Sequence, residues 1–499
     1  MRKNKVTLRN VVTTLALQIV TIISGFIIPK LILSTFGSET NGLISSLQQF
    51  LNYIALVEGG LNGVIMANLY KPLVAKDYKK VSSIIKTSNS FFKKISIVFV
   101  CYTIVLAIVY PLLFKTSFSW GFIFTLTLIL SIKLFVQYCF SLSLRNLLNA
   151  DKKVYIVSLT QIALIVADTI IAVAVIKLIP NIHIFKLISA IIFMSQPIIY
   201  NYYIKKHYPL EKNVSTDKQL LANRWDGFAI NVAYFVHSNT DIAVISIFRG
   251  LKEASVYSVY ALVVSGIKQL CQALWKALSP SIGKLYASGD QKELNKKFDT
   301  FEYITFFVSF FMFGVAATLI TPFVQIYTSN ITDVNYNQPI FGVLILIAET
   351  MYIIREPYTA IAYSANKFKE IRVPAIIEAI LNIAISIALV PWLGIIGVAV
   401  GTVVAMTYRT LFQVWYLRKH LINRPVRKFM KGFLAFAIST SCICALCIIG
   451  LPIREYTIMN WISHAILYSG ILLGTHLLVS MLLFRKEIIE LKEYIVHRK

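Results

Sequence analysis

The chain has 499 residues, 57% of them hydrophobic and only 14% charged, with a mean hydropathy of +0.70. A soluble globular chain carries roughly 25% charged residues, so most segments here have no water-facing side, which excludes an ordinary soluble protein and predicts an all-α polytopic membrane protein. Lys and Arg outnumber Asp and Glu by 49 to 23, a net charge of +26; the basic residues fall in short gaps between apolar runs, where they set topology and meet anionic headgroups rather than nucleic acid.

A bilayer core takes about 20 apolar residues per helix. That ruler predicts about fourteen spans, at 8–33, 43–69, 91–114, 120–144, 154–179, 184–204, 225–248, 254–278, 298–327, 340–362, 373–392, 395–417, 429–451 and 461–484. The first carries Thr14, Gln18, Thr21 and Ser24 at helical spacing, and the second carries Gln48, Gln49, Asn52, Glu58 and Asn62. Gly59-Gly60 and Gly63 interrupt the second span near its centre, and are read either as small residues that let helices pack closely, the favoured reading, or as a hinge or locally unwound helix. Lys133 falls near the middle of the fourth span. Asn231, Tyr234, His237, Ser238 and Asp241 form a stripe along the seventh, and Ser265, Lys268, Gln269 and Gln272 one along the eighth. Arg355 lies in the tenth span with Glu356 beside it. Arg409, towards one end of the twelfth, is placed to snorkel. Cys442, Cys444 and Cys447 have apolar neighbours and no nearby His, so they read as small hydrophobes and not as metal ligands. The chain shows no Walker motif, His-Glu-x-x-His or nucleophile elbow, so the expectation is a non-enzyme with no cofactor.

The basic residues alternate between gaps. The N-terminus and every second gap hold 38 of the 49 Lys and Arg, which predicts that both termini are cytoplasmic. The halves also resemble each other: Leu33-Ser34-Thr35-Phe36 matches Ile245-Ser246-Ile247-Phe248, Leu69-Tyr70 matches Leu285-Tyr286, and Ala150-Asp151-Lys152 matches Ala365-Asn366-Lys367. The offsets stay between 212 and 217, which predicts two six-helix lobes in a pseudo-twofold arrangement, 1–210 and 211–424, with two further helices and a tail at 425–499. Parallel repeats of this kind place a substrate cavity between halves and permit alternating access. The stripes on spans one, two, seven and eight are expected to line it.

Three segments resemble a known family. Asn239-Thr240-Asp241 through Phe248 to Val256-Tyr257-Ser258 is similar to the seventh and eighth helices of bacterial polysaccharide flippases. Leu381-Asn382-Ile383-Ala384 through Leu393-Gly394-Ile395-Ile396-Gly397-Val398-Ala399 is similar to their eleventh and twelfth, and Phe36-Gly37-Ser38-Glu39-Thr40-Asn41-Gly42-Leu43 to their first external turn. The resemblance covers essentially the whole chain. It points to the polysaccharide branch (O-antigen, capsule or exopolysaccharide repeat units) of the multidrug/oligosaccharidyl-lipid/polysaccharide, or MOP, exporter superfamily, with a MATE-like fold. It implies movement of undecaprenyl-pyrophosphate-linked oligosaccharide across a bacterial plasma membrane, in a pathway shared with a polymerase and glycosyltransferases.

Ionisable groups at membrane depth cost about 2.5–3.5 kcal/mol each and are functional candidates for that reason. A pyrophosphate needs fixed cations, with Arg suited to bidentate contact and Lys acting as a point charge. Lys133, Lys268 and Arg355 are the candidates, the alternative being that each pairs with a buried acid, of which Glu58, Asp168, Asp241, Glu349, Glu356 and Glu378 are available. Asp241 and Glu58 are candidates for coupling to a proton or sodium ion. Rival readings are a peptidoglycan-precursor (lipid II) flippase and a MATE-type drug or cation exporter, whose cavity should be dominated by acids; a polymerase or ligase would need a large external loop.

Overall fold

In a computed structural model, the protein is described over residues 2–58, 61–114, 116–211, 213–217, 235, 239–287, 289–365, 367–422 and 424–496. Among the described residues every regular element is helical, and eleven helices are long and apolar enough to cross a membrane. The chain divides into two compact units, Met1–Ser255 and Val256–Lys499.

In the first unit, α1 (Arg2–Asn52) has 51 residues, roughly 75 Å of helix against a hydrocarbon core of about 30 Å. It is broken at Gly37, where φ is 80° and ψ 176°; a side chain would strain that conformation. The first expected span is therefore its first limb, and the second limb holds only the opening of the second expected span. The second limb stops at Asn52, and after a turn at Tyr53 and Ile54 come α2 (Ala55–Glu58) and α3 (Leu61–Ala75). The second span is thus interrupted, as the hinge reading of its glycines expects, but the turn comes before them. A Cβ on Gly63 would meet nothing within 4 Å, and Gly59-Gly60 lie outside the described residues.

Next come α4 (Tyr78–Leu113), α5 (Trp120–Val136), a π-helical turn over Gln137–Ser141, α6 (Leu142–Ala150), α7 (Val154–Leu178), α8 (Ile182–His207) and α9 (Asp241–Phe248). The last is the described end of the expected seventh span. Its core gathers Phe92, Phe99, Leu69 and Tyr200 in one cluster and Tyr110, Leu126 and Phe185 in another.

After Gly250, with φ 89°, α10 (Leu251–Ala287) begins. The second unit continues with α11 (Gln291–Tyr327), α12 (Pro339–Ile354), α13 (Glu356–Ser364), α14 (Phe368–Leu393), α15 (Ile395–His420), α16 (Val426–Gly450), α17 (Ile458–Leu483) and α18 (Arg485–Val496). The expected tenth span is split at Arg355, since Pro357 in the first turn of α13 has no N–H to continue the ladder and clashes with the preceding turn.

The duplication is visible in the caps. Asp77 accepts from the Lys80 N–H at 2.9 Å and opens the 36 residues of α4; Asp290 accepts from the Glu293 N–H at 2.9 Å and opens the 37 residues of α11. These caps stand 213 positions apart, as do Gly37 and Gly250. Both helices start earlier than the apolar runs suggest because a capped, polar first turn satisfies the free N–H groups without hydrophobicity.

The final pair packs on α11. A Cβ on Gly314 would lie 2.6 Å from Thr440 and 2.9 Å from Leu472, and one on Gly432 would lie 2.7 Å from the Phe306 ring. Trp461 Nε1 donates to the Leu319 carbonyl at 3.1 Å. Arg424, in the connection before α16, is buried: its Nε lies 2.6 Å from Asp299 and its Nη2 pairs with Glu302.

Candidate functional site

Each unit has its own polar cluster at membrane depth. In the second, α12 presents Glu349, Tyr352 and, at its broken end, Arg355, three residues apart and so on one face. α10 lies along that face. Lys268 Nζ is 2.9 Å from Glu349 Oε2 and sits 4.2 Å above the Tyr352 ring centroid, a cation–π arrangement. Gln272 Nε2 donates to the Tyr352 hydroxyl at 3.4 Å. Below the break, Arg355 Nη1 donates to Glu378 of α14 at 2.8 Å, and Arg409 of α15 donates to the other oxygen of the same carboxylate. Glu378 is fully buried, with Arg355 4% and Arg409 5% exposed. Glu356 adds a third acid that acts electrostatically on Arg355, Lys268 and Arg409. Three cations therefore meet three carboxylates. Such a cluster is rigid and balanced, and removing one partner would strand a buried charge.

In the first unit, Lys133 on α5 projects over the Phe193 ring of α8, Nζ 3.4 Å from the centroid. Asp168, on α7, is buried and acts electrostatically on both Lys133 and Lys186. Neither lysine forms an ion pair with it, and Asp168 Oδ1 has no hydrogen-bond partner among the described residues. Lys133 is exposed and Lys186 half-buried. Two cations share one acid here, leaving a positive excess. Nearby, Ser24 and Thr169 are hydrogen-bonded at 2.7 Å, which ties α1 to α7.

The other expected residues are dispersed. Gln18 on α1 and Gln269 on α10 are half-buried and engaged with neighbours. Gln49 and Asn52, in the last turn of α1, are half-buried and have no side-chain partner among the described residues. Asp241 is buried in the first turn of α9 and close enough to Tyr53 to act on it electrostatically; the Tyr53 hydroxyl donates to the Asn239 carbonyl at 3.0 Å. The Glu58 side chain and Asn231, Tyr234, His237 and Ser238 lie outside the described residues. Arg409 does not snorkel as expected, because the buried Glu378 carboxylate is a stronger partner than a distant headgroup. Sequence reasoning missed Tyr352 and Lys186. Tyr352 was findable from its place three residues from both Glu349 and Arg355. Lys186 reads as an external gap residue because it follows the start of α8 so closely.

No protein-family model matches the chain, and no curated protein matches it. Solved structures do. The chain is similar to the lipid II flippase MurJ in an inward closed conformation, with a TM-score of 0.64 and 18% identity over 96% of this chain and 99% of that one. The chain has the MOP transporter fold. It is also similar to an inward-facing multidrug-resistance MATE transporter of the MOP superfamily, TM-score 0.60 and 12% identity over 87% of this chain and 98% of that one. A MOP transporter from Pyrococcus furiosus, described as having a binding pocket of reversed polarity, matches with TM-score 0.55 and 12% identity over 88% of this chain and 96% of that one. These neighbours are transporters, and the chain is a multi-pass membrane protein of the same architecture.

Proposed function

We propose that the protein is a flippase that moves an undecaprenyl-pyrophosphate-linked oligosaccharide from the cytoplasmic to the outer leaflet of a bacterial plasma membrane, by alternating access, for cell-surface polysaccharide synthesis. The observation that carries this reading is the Lys133–Asp168–Lys186 cluster: two cations at membrane depth, one carboxylate, and no ion pair within the cluster. An unpaired, partly desolvated ammonium is costly alone and is stabilised by an anion that arrives with its own charge. A diphosphate supplies that anion; a cationic drug would be repelled. The sequence resemblance to polysaccharide flippases supports the same cargo, with glycosyltransferases and a polymerase acting before and after this step. Both termini are placed in the cytoplasm by the basic asymmetry, with lobes at 1–210 and 211–424 and helices 425–499 appended.

A second reading is favoured by the similarity to MurJ along nearly the full length: the oligosaccharide is then a peptidoglycan precursor. Both cargoes are lipid-linked diphosphates and use the same cations. Purified protein in proteoliposomes, loaded in turn with a lipid-linked polysaccharide repeat unit, lipid II and a cationic dye, tests these readings. Flipping of the repeat unit above the other two supports the proposal; transport of the dye alone overturns it.

We further propose that the drive is a proton or sodium gradient coupled through Asp241 or Glu58. A carboxylate in a partly dry site has its charged form disfavoured, so cation binding there shifts the balance between two conformations. Flipping should respond to an imposed pH or sodium gradient. A rate indifferent to both, and unchanged in Asp241→Asn and Glu58→Gln, would remove the coupling.

A further inference from the structure

The first unit also holds a cavity of about 610 Å³ among α4, the π-helical turn with its flanking helices, and α8. That volume lies within the range of small-molecule sites, roughly 300–1,000 Å³. Its walls are apolar over Phe135, Phe140, Met194 and Ile198, and Phe140 and Ile198 are 49% and 68% exposed, so the groove opens onto surface at hydrocarbon level. Its polar lining is Asn89 and Lys93 on α4 and Asn201 on α8, the last standing about one turn before the basic run Lys205-Lys206. Met194 and Asn201 are separated on α8 by about 10 Å of rise, which separates the apolar end of the groove from the polar one. Among the described residues, none of the side chains of Asn89, Lys93 and Asn201 has a hydrogen-bond or ion-pair partner.

The π turn explains why the groove exists. An i→i+5 turn is rare and admits one extra residue, frequently at functional sites. Here it spans Gln137–Ser141 and places Cys139 and Phe140 in the groove wall. Straight α-helices in this place could close on one another. Inside a bilayer the apolar part of such a groove is not filled by water, since Phe135, Phe140, Met194 and Ile198 offer no side-chain hydrogen bonds, and an empty one forfeits dispersion contacts along its length. A hydrocarbon chain fills it. The polar lining then selects the headgroup, because Lys93, with no ion-pair partner among the described residues, favours net negative charge.

We infer that this groove holds one anionic phospholipid, with an acyl chain against Phe135, Phe140 and Met194 and its phosphate at Lys93, where Asn89 and Asn201 donate to the headgroup. Lys133 is not among the residues that line the groove, and the inference does not depend on the proposed cargo. Native mass spectrometry of the full chain in mild detergent, with phosphatidylglycerol, phosphatidylcholine or a polyprenyl phosphate added at equal concentration, tests it. One phosphatidylglycerol should be retained in preference to phosphatidylcholine. Lys93→Gln should weaken its retention about fivefold, the effect of one cation near a charged lipid surface, whereas Lys94→Gln, outside the groove lining, should match the parent. Cys139→Trp fills the groove and should abolish retention; if that variant does not fold, the Lys93 and Lys94 pair decides. Equal retention of phosphatidylcholine, equal effects of Lys93→Gln and Lys94→Gln, or displacement of phosphatidylglycerol by the polyprenyl phosphate would each overturn the assignment.

Discussion

In the second unit Lys268, Arg355 and Arg409 face Glu349, Glu356 and Glu378, whereas in the first Lys133 and Lys186 share Asp168 without forming an ion pair. The same residue types at similar depth are thus used in two ways. Where charge is matched and buried, the side chains hold helices: Glu378 joins α12, α14 and α15 through two arginines. Where charge is unmatched, the energy of solvating it is left for something else to supply. Charge count alone does not mark a binding site at membrane depth; unspent pairing capacity does.

The largest effect should come from breaking the matched cluster. Glu378→Gln leaves Arg355 and Arg409 buried beside a neutral amide, and loss of one partner of a buried ion pair costs about 3–5 kcal/mol. Thermal unfolding of the purified protein should show that loss, with reduced yield in the membrane. Replacing all three residues with apolar side chains of similar volume should recover most of it. A Glu378→Gln protein as stable as the parent would mean that the two units do not differ as argued.

Lys133→Gln should behave in the opposite way. With no ion pair to break, its stability should stay within about 0.5 kcal/mol of the parent. A lost charged hydrogen bond to phosphate is worth about 1.5–3 kcal/mol, so apparent affinity for the lipid-linked diphosphate should fall about tenfold or more. Flipping in proteoliposomes and thermal unfolding, measured on the same preparation, check both halves of the statement. Unchanged flipping would remove Lys133 from the cargo path.

Much of the fold is legible in the sequence because hydrocarbon imposes one rule on every span: about 20 apolar residues with internally satisfied backbone. Eleven of the expected spans meet that rule among the described residues, and most of the seventh lies outside them. The second and tenth are interrupted where the rule is silent, at Tyr53 and Arg355. An apolar count cannot see a break after Asn52, and Pro357 signals one only when its position in a first turn is known. The polar extensions of α4 and α11 are invisible to the same count, although Asp77 and Asp290 announce them as caps. For the sites, periodicity finds Lys268 and Lys133 but does not choose among the candidate acids, since Glu349 and Asp168 come from other helices and neighbouring helices are not determined by spacing along one of them.

The smallest effect concerns Lys268, the residue on which the comparison is most finely balanced. It is paired like its neighbours, yet its side chain remains 16% exposed and that of Glu349 19%, so the pair is less buried than those of Glu378 and removing one partner should cost less than it does there. A double-mutant cycle of Lys268→Gln and Glu349→Gln separates two roles. If the pair only holds α10 to α12, both single variants lose the same small amount of stability, the double variant loses little more, and flipping follows stability. If Lys268 also meets the anionic cargo, Lys268→Gln slows flipping while Glu349→Gln, which removes its ion pair with Glu349, raises apparent affinity. The two substitutions then act in opposite directions on transport while acting alike on stability. That sign difference would be decisive even where each effect is only a few-fold, because no purely structural role predicts it. Parallel losses would place Lys268 with Arg355 and Arg409 and leave the first unit as the place where cargo charge is met.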